Sequence, residues 1–133
     1  MSNEIMTTNP AIMSNNGDFI CTLTTDDVRS KLIIAKAVNA ATPLADLGDT
    51  PFTIVDVLTM PGKRARTGEP CKNVYLILPD GSALFSQSEG VERSVQVLNG
   101  LFNGDFGEGI KVRVIESPTK SGNNMKNLEP VFD

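Results

Sequence analysis

The chain has no histidine and no tryptophan, and only two cysteines in 133 residues. Without histidine, the side chain that most often moves protons at neutral pH is missing, and such work would fall to carboxylates or lysine. Cys21 and Cys71 stand in no CxxC spacing, so no zinc site, and no other metal or cofactor, is expected. One disulfide between them and two reduced thiols both remain open, the thiols being the form a cytosolic protein keeps. Aromatic residues make up 5% of the chain, with a single tyrosine. No run approaches the ~18 apolar residues of a membrane span. Met1 to Asn16 lacks the basic and apolar regions of a secretion signal, so a cytoplasmic protein without a membrane partner is expected. Neither Gly62-x5-Gly68 nor the Gly104–Gly109 loop matches a phosphate-binding GxxxxGK[ST], and Ser86 and Ser88 lie in no nucleophile-elbow context. Asp56 sits in an apolar strand with no second carboxylate placed beside it. No enzyme is expected.

What is present is ordinary globular composition, 40% hydrophobic and 21% charged, enough for one domain with a core. Net charge is −4, which argues against bulk electrostatic coating of a polyanion. Positive charge is nevertheless concentrated. Lys63, Arg64, Arg66 and Lys72 fall within ten residues, against one acid, Glu69. Contact charges act over roughly 8–10 Å, so a local basic groove is compatible with an acidic chain.

Residues Met1 to Gly17 are rich in Asn, Thr and Ser and read as a flexible arm, and 18–133 as a single domain. Thr24 and Asp27 have capping-box spacing at the start of a helix. Val28, Leu32, Ala35 and Val38 are predicted to be its apolar face, and Asn39 and Thr42-Pro43 its end. From Phe52 to Leu58 the period is two. Thr53, Val55 and Val57 share one face, and Phe52, Ile54 and Leu58 the other, interrupted by Asp56. The basic Gly62–Pro70 loop follows, then a strand with Val74, Leu76 and Leu78 on one face and Tyr75 and Ile77 on the other. Pro79-Asp80-Gly81 signals a tight turn, and Ser82 to Ser86 returns as a strand. Ser88 is an N-cap with Glu89 and Glu92 in the first turn. Val91, Val95, Leu98 and Phe102 form a helix stripe, with Gly100 and Gly104 as stops. Ile110 to Glu116 alternates Val112 and Val114 with Lys111 and Arg113. A polar turn and a last strand, Met125 to Val131, complete the chain.

The expected fold is mainly β, with an N-terminal helix and a second helix between the third and fourth of five strands. That is the order of the OB-fold barrel, in which the loops between strands one and two and between strands four and five flank the ligand face. Here those loops carry Lys63, Arg64 and Arg66, and Lys120 and Lys126.

From about Thr24 to Val131 the chain resembles the small single-stranded DNA-binding proteins of phages and conjugative plasmids of Gram-positive bacteria. The matching features are Lys36-Ala37-Val38-Asn39-Ala40, Leu47-Gly48-Asp49, Ile54-Val55-Asp56-Val57, Leu78-Pro79-Asp80-Gly81, Ser86-Gln87-Ser88-Glu89-Gly90-Val91 and Lys120-Ser121-Gly122-Asn123. The resemblance implies an OB fold and a role in replication or transfer in the cytoplasm of a bacterial host. The chain departs from the pattern in its few rings and in lacking, after Leu128, the long acidic tail of many cellular homologues.

Single-stranded nucleic acid needs cations along a groove and flat rings for bases. The candidate contacts are Lys63, Arg64, Arg66, Tyr75, Phe85, Lys111, Arg113, Lys120 and Lys126. Tyr75 is the best-placed ring, with a position on the barrel wall as the alternative. Phe85 is its cross-strand neighbour, with a core position as the alternative. Phe106, in a Gly-rich loop, is a further candidate ring, and Phe52 and Phe102 are expected in the core. Arg93 reads as plain surface. Lys111 and Arg113 face either the ligand or solvent. The expected partner is single-stranded DNA, with RNA and self-association along the strand also open. The rival is an OB-like protein–protein adaptor of a mobile genetic element, its basic loop meeting an acidic partner.

Overall fold

The computed structural model describes residues 20–23, 27–118 and 124–132. The expected arm, Thr24 and all of Lys120–Asn123 lie outside them. The described residues are mainly β, with two α-helices and two open sheets. In chain order the elements are β1 (Ile20–Cys21), α1 (Val28–Ala40), β2 (Thr42–Pro43), a 3₁₀ turn (Leu44–Leu47), β3 (Phe52–Ile54) and β4 (Asp56–Lys63). They continue with β5 (Pro70–Ile77), β6 (Ala83–Ser86), α2 (Glu89–Phe102), β7 (Ile110–Pro118) and β8 (Asn124–Pro130). The larger sheet runs β1-β4-β5-β6-β2, and the smaller β3-β7-β8.

The strand expected at Phe52–Leu58 bends at Val55 and serves both sheets. β3 pairs antiparallel with β7, and β4 pairs antiparallel with β5 from Asp56 opposite Ile77 to Lys63 opposite Pro70. The bend shifts the alternation by one residue, so Phe52, Ile54 and Val57 enter one core while Leu58 enters the other. This corrects the strict two-residue period read for the whole segment. Thr22 fastens the bend. Its backbone N–H donates to the Val57 carbonyl at 3.1 Å, and its hydroxyl accepts from the Val57 N–H at 3.0 Å and donates to Asp56 Oδ1 at 2.7 Å. The strands also run further than expected. Lys63 and Lys72 belong to β4 and β5, and the loop shortens to the six residues 64–69.

One core lies between the sheets and under α2. It holds Ile54, Val57, Val74, Leu76, Val91, Val95, Val112 and Leu128 among others. The other lies on the outer face of the larger sheet and holds Leu58, Tyr75, Ile77, Cys21, Leu23 and Ala37. Both faces of β5 are therefore buried over Val74–Ile77.

α1 packs on that outer face by a different side from the one expected. Ser30 and Ala37 are buried and Ile33 and Ile34 half-buried, whereas Val28, Leu32, Ala35 and Val38 are exposed. Apolar residues occur nearly all round this helix, and the sheet it meets decides which are covered. Its N-cap is Asp27 itself, whose Oδ1 accepts from the Ser30 N–H at 2.7 Å. The helix ends at Ala40, and Thr42–Pro43 forms a short parallel strand on Leu84–Phe85.

α2 begins as expected at Ser88. It runs through Gly100 and stops at Asn103, which adopts the left-handed conformation at φ 53°. Phe102 at its end is exposed rather than in the core. The helix covers the free edge of β8. The Ser88 hydroxyl donates to the Lys126 carbonyl at 3.2 Å, and Ser94 Oγ accepts from the Leu128 N–H at 3.1 Å. These bonds blunt an open sheet edge. Gly90 allows the approach, because a Cβ there would overlap the Lys126 carbonyl oxygen.

Candidate functional site

The β4–β5 hairpin is closed by Arg64, whose N–H donates to the Glu69 carbonyl at 2.9 Å and whose carbonyl accepts from the Gly68 N–H at 2.8 Å. The positive φ of Gly68, 72°, suits it to the turn. Gln87, just after β6, ties the hairpin down. Its Nε2 donates to Asn73 Oδ1 at 2.8 Å and to the Lys63 carbonyl at 3.2 Å. Gly62 leaves room for the Asn73 amide, which a Cβ there would strike.

Because α2 follows β6 directly, its first two turns lie beside this hairpin. A groove of about 360 Å³ opens between them. Arg64, Lys72 and Arg93 line it from three separate segments, with Gln87 and Gln96, and Glu89 and Glu92 stand on its helical wall. Three cations against two carboxylates leave it slightly positive. Cys71 also lines it. Both cysteines are free thiols, Cys21 buried and Cys71 half-buried. The sequence alone suggests plain surface for Arg93. The signal that could have found it is its place one turn past Ser88, on the first helix after the hairpin strands.

The other candidates divide. Lys63 and Arg66 are exposed on the hairpin outside the groove lining. Arg113 and Lys126 come together in a second depression of about 520 Å³ beside the 3₁₀ turn, with Asp49 and Glu116 on its wall. Arg113 Nε is held by Glu129 Oε2 at 2.8 Å, across the β7–β8 pairing. Lys111 and Arg113 are exposed and alternate with buried Val112 and Val114, as the sequence predicts. Lys120 lies outside the described residues.

The rings are where the reading from sequence changes most. Tyr75 is 5% exposed. It packs on Phe85, half-buried in the same core, with ring centroids 5.4 Å apart. Burial pushes the Tyr75 phenol above its usual range, against a smaller lowering by a hydrogen bond from Asn73. No base can stack on a ring so enclosed, because α1 and the β1 segment cover the face that carries it. Phe106 is also buried, edge-on to Phe102 at 5.9 Å. Asp56, half-buried beside the bend, has its pKa raised by burial and by the nearby Asp105, against the Thr22 hydrogen bond.

Comparison with protein-family models, curated proteins and solved structures returns no match. The functional reading therefore stands on the groove and the strand order alone. Among the described residues no three metal-ligating side chains come together, and no helix is long and apolar enough to cross a membrane.

Proposed function

We propose that this chain is a sequence-nonspecific single-stranded DNA-binding protein built on an OB-type barrel. Its role is to protect single strands during replication or transfer of a phage or plasmid in a bacterial cytoplasm. The observation that carries this is the convergence of Arg64, Lys72 and Arg93 on one groove beside the first long hairpin. The strand order supports it. A first strand shared between two sheets, a hairpin, a third strand, a helix and a final hairpin follow the OB succession, with the helix closing the core between the sheets. The groove lies between the hairpin end of β5, at Pro70–Lys72, and α2, so the backbone of a strand would run past the hairpin and the first turns of α2.

With Tyr75 and Phe106 enclosed, affinity rests on phosphate contacts more than on stacking, and binding is correspondingly salt-sensitive. The same burial favours one rival, an adaptor whose basic hairpin meets an acidic protein. A fluorescence-anisotropy titration of labelled poly-dT at two salt concentrations separates them. Micromolar binding that weakens with salt supports the nucleic-acid role. No binding at either salt leaves the adaptor.

A further inference from the structure

Each helix leaves an apolar stripe uncovered, and the two stripes carry opposite charge. On α1, Val28 is 72% exposed, Leu32 64% and Val38 44%. Arg29, Lys31 and Lys36 flank them; the helix itself contains no acid, and Asp80, which shares a depression with Arg29 and Lys36, and the N-cap Asp27 leave the patch positive by one charge. On α2, Val97 is 55% exposed and Leu101, one turn on, 73%, with Phe102 beside it at 43%. From Ser94 to Ile110 there is no lysine or arginine, and the turn after Phe102 carries Asp105 and Glu108, both exposed. Large apolar side chains at helical spacing, on two patches of opposite net charge, mark contact surfaces rather than solvated ones.

We infer that α1 of one copy docks on the C-terminal end of α2 of the next, joining copies head to tail. Leu32 and Leu101 are the anchors, and Arg29 and Lys36, the latter beside Asp80 of its own chain, face Asp105 and Glu108. The two patches differ, so the contact is heterologous and the association is open-ended rather than a closed dimer. α1 packs in the core that holds Tyr75 and contributes no residue to the groove, so docking at α1 leaves the groove open. The contact rests on the helix faces and not on nucleic-acid binding, and either can fail without the other.

Sedimentation velocity of the full chain, without nucleic acid, tests it. The weight-average sedimentation coefficient should rise steadily from micromolar to near-millimolar protein without a plateau at the dimer. One variant, Leu32→Ser with Lys36→Glu, removes the α1 patch. A second, Leu101→Ser with Asp105→Asn, removes the α2 patch. Each should associate at least about tenfold more weakly, about 1.4 kcal/mol, while melting near the parent because the altered side chains are exposed. Mixed in equal amounts, the two should form a 1:1 dimer that grows no further, since each retains one live patch. Lys36→Glu alone should weaken association, and adding Glu108→Lys to the same chain should restore it. The inference is overturned by a chain that stays monomeric throughout, by variants that still assemble alone, or by a mixture that gives no dimer.

Discussion

Replacing Tyr75 distinguishes a stacking platform from a core residue. The ring is 5% exposed and lies among Leu58, Ile77, Ala37 and Phe85. Truncating a buried aromatic side chain to alanine costs about 3–5 kcal/mol, from lost transfer free energy and the cavity left behind. For a chain of this length each 1 kcal/mol lowers the melting temperature by roughly 3–5 °C. Tyr75→Ala should therefore melt roughly 9–25 °C below the parent. Tyr75→Phe keeps the packing and loses only the hydrogen bond with Asn73, whose oxygen keeps Gln87 as a partner. That change should cost about 0.5–1.5 kcal/mol. Melting by circular dichroism and poly-dT affinity on the same samples decide the matter. Tyr75 is the only tyrosine and there is no tryptophan, so its emission reports on the ring directly. Saturating DNA should leave that emission nearly unquenched. An unchanged melting temperature with affinity reduced tenfold or more, or strong quenching, would refute the burial argument and return Tyr75 to the interface.

Arg64→Ala with Arg93→Ala should weaken poly-dT binding and flatten the slope of log K against log salt by about 1.4, at about 0.7 per phosphate contact, while melting within a few degrees of the parent. Arg66→Ala, at the hairpin tip outside the groove, should change affinity less than Arg93→Ala alone. Asp56 has its pKa raised in the folded state, so its contribution to stability is fully present below its unfolded pKa, about 3.9, and is lost as pH rises through the folded value. Asp56→Asn, which still accepts from Thr22, should therefore melt above the parent at neutral pH, with the gap closing below about pH 4 in a pH series of thermal melts. Gly90→Ala should cost about 1–3 kcal/mol or more, because the new methyl would force α2 away from the Lys126 carbonyl.

The succession of strands and the second helix were legible because each carries its own local signal. Ser88 caps α2, Pro79-Asp80-Gly81 turns the hairpin, and Val112 and Val114 alternate with Lys111 and Arg113. Which face each element buries was less legible. Period two cannot register a one-residue shift such as the bend at Val55, which depends on pairing with two sheets. Nor can period 3.6 choose between Val28-Leu32 and Ile33-Ala37 on a helix that is apolar nearly all round. That choice decides the site. Once α1 turns its Ile33 side inward, Tyr75 lies beneath it. The basic cluster was visible as composition, but its geometry needed the fold. The hairpin leaves Lys63 and Arg66 outside the groove, and α2 brings in Arg93, thirty residues from Lys63.

The most direct test of the nucleic-acid reading is the affinity of the unaltered chain for labelled poly-dT, by anisotropy at low and moderate salt. The account predicts micromolar or tighter binding at low salt that falls as salt rises, with a log–log slope of about −0.7 for each phosphate neutralised. Affinity that does not change with salt, or no binding at micromolar protein, would contradict it.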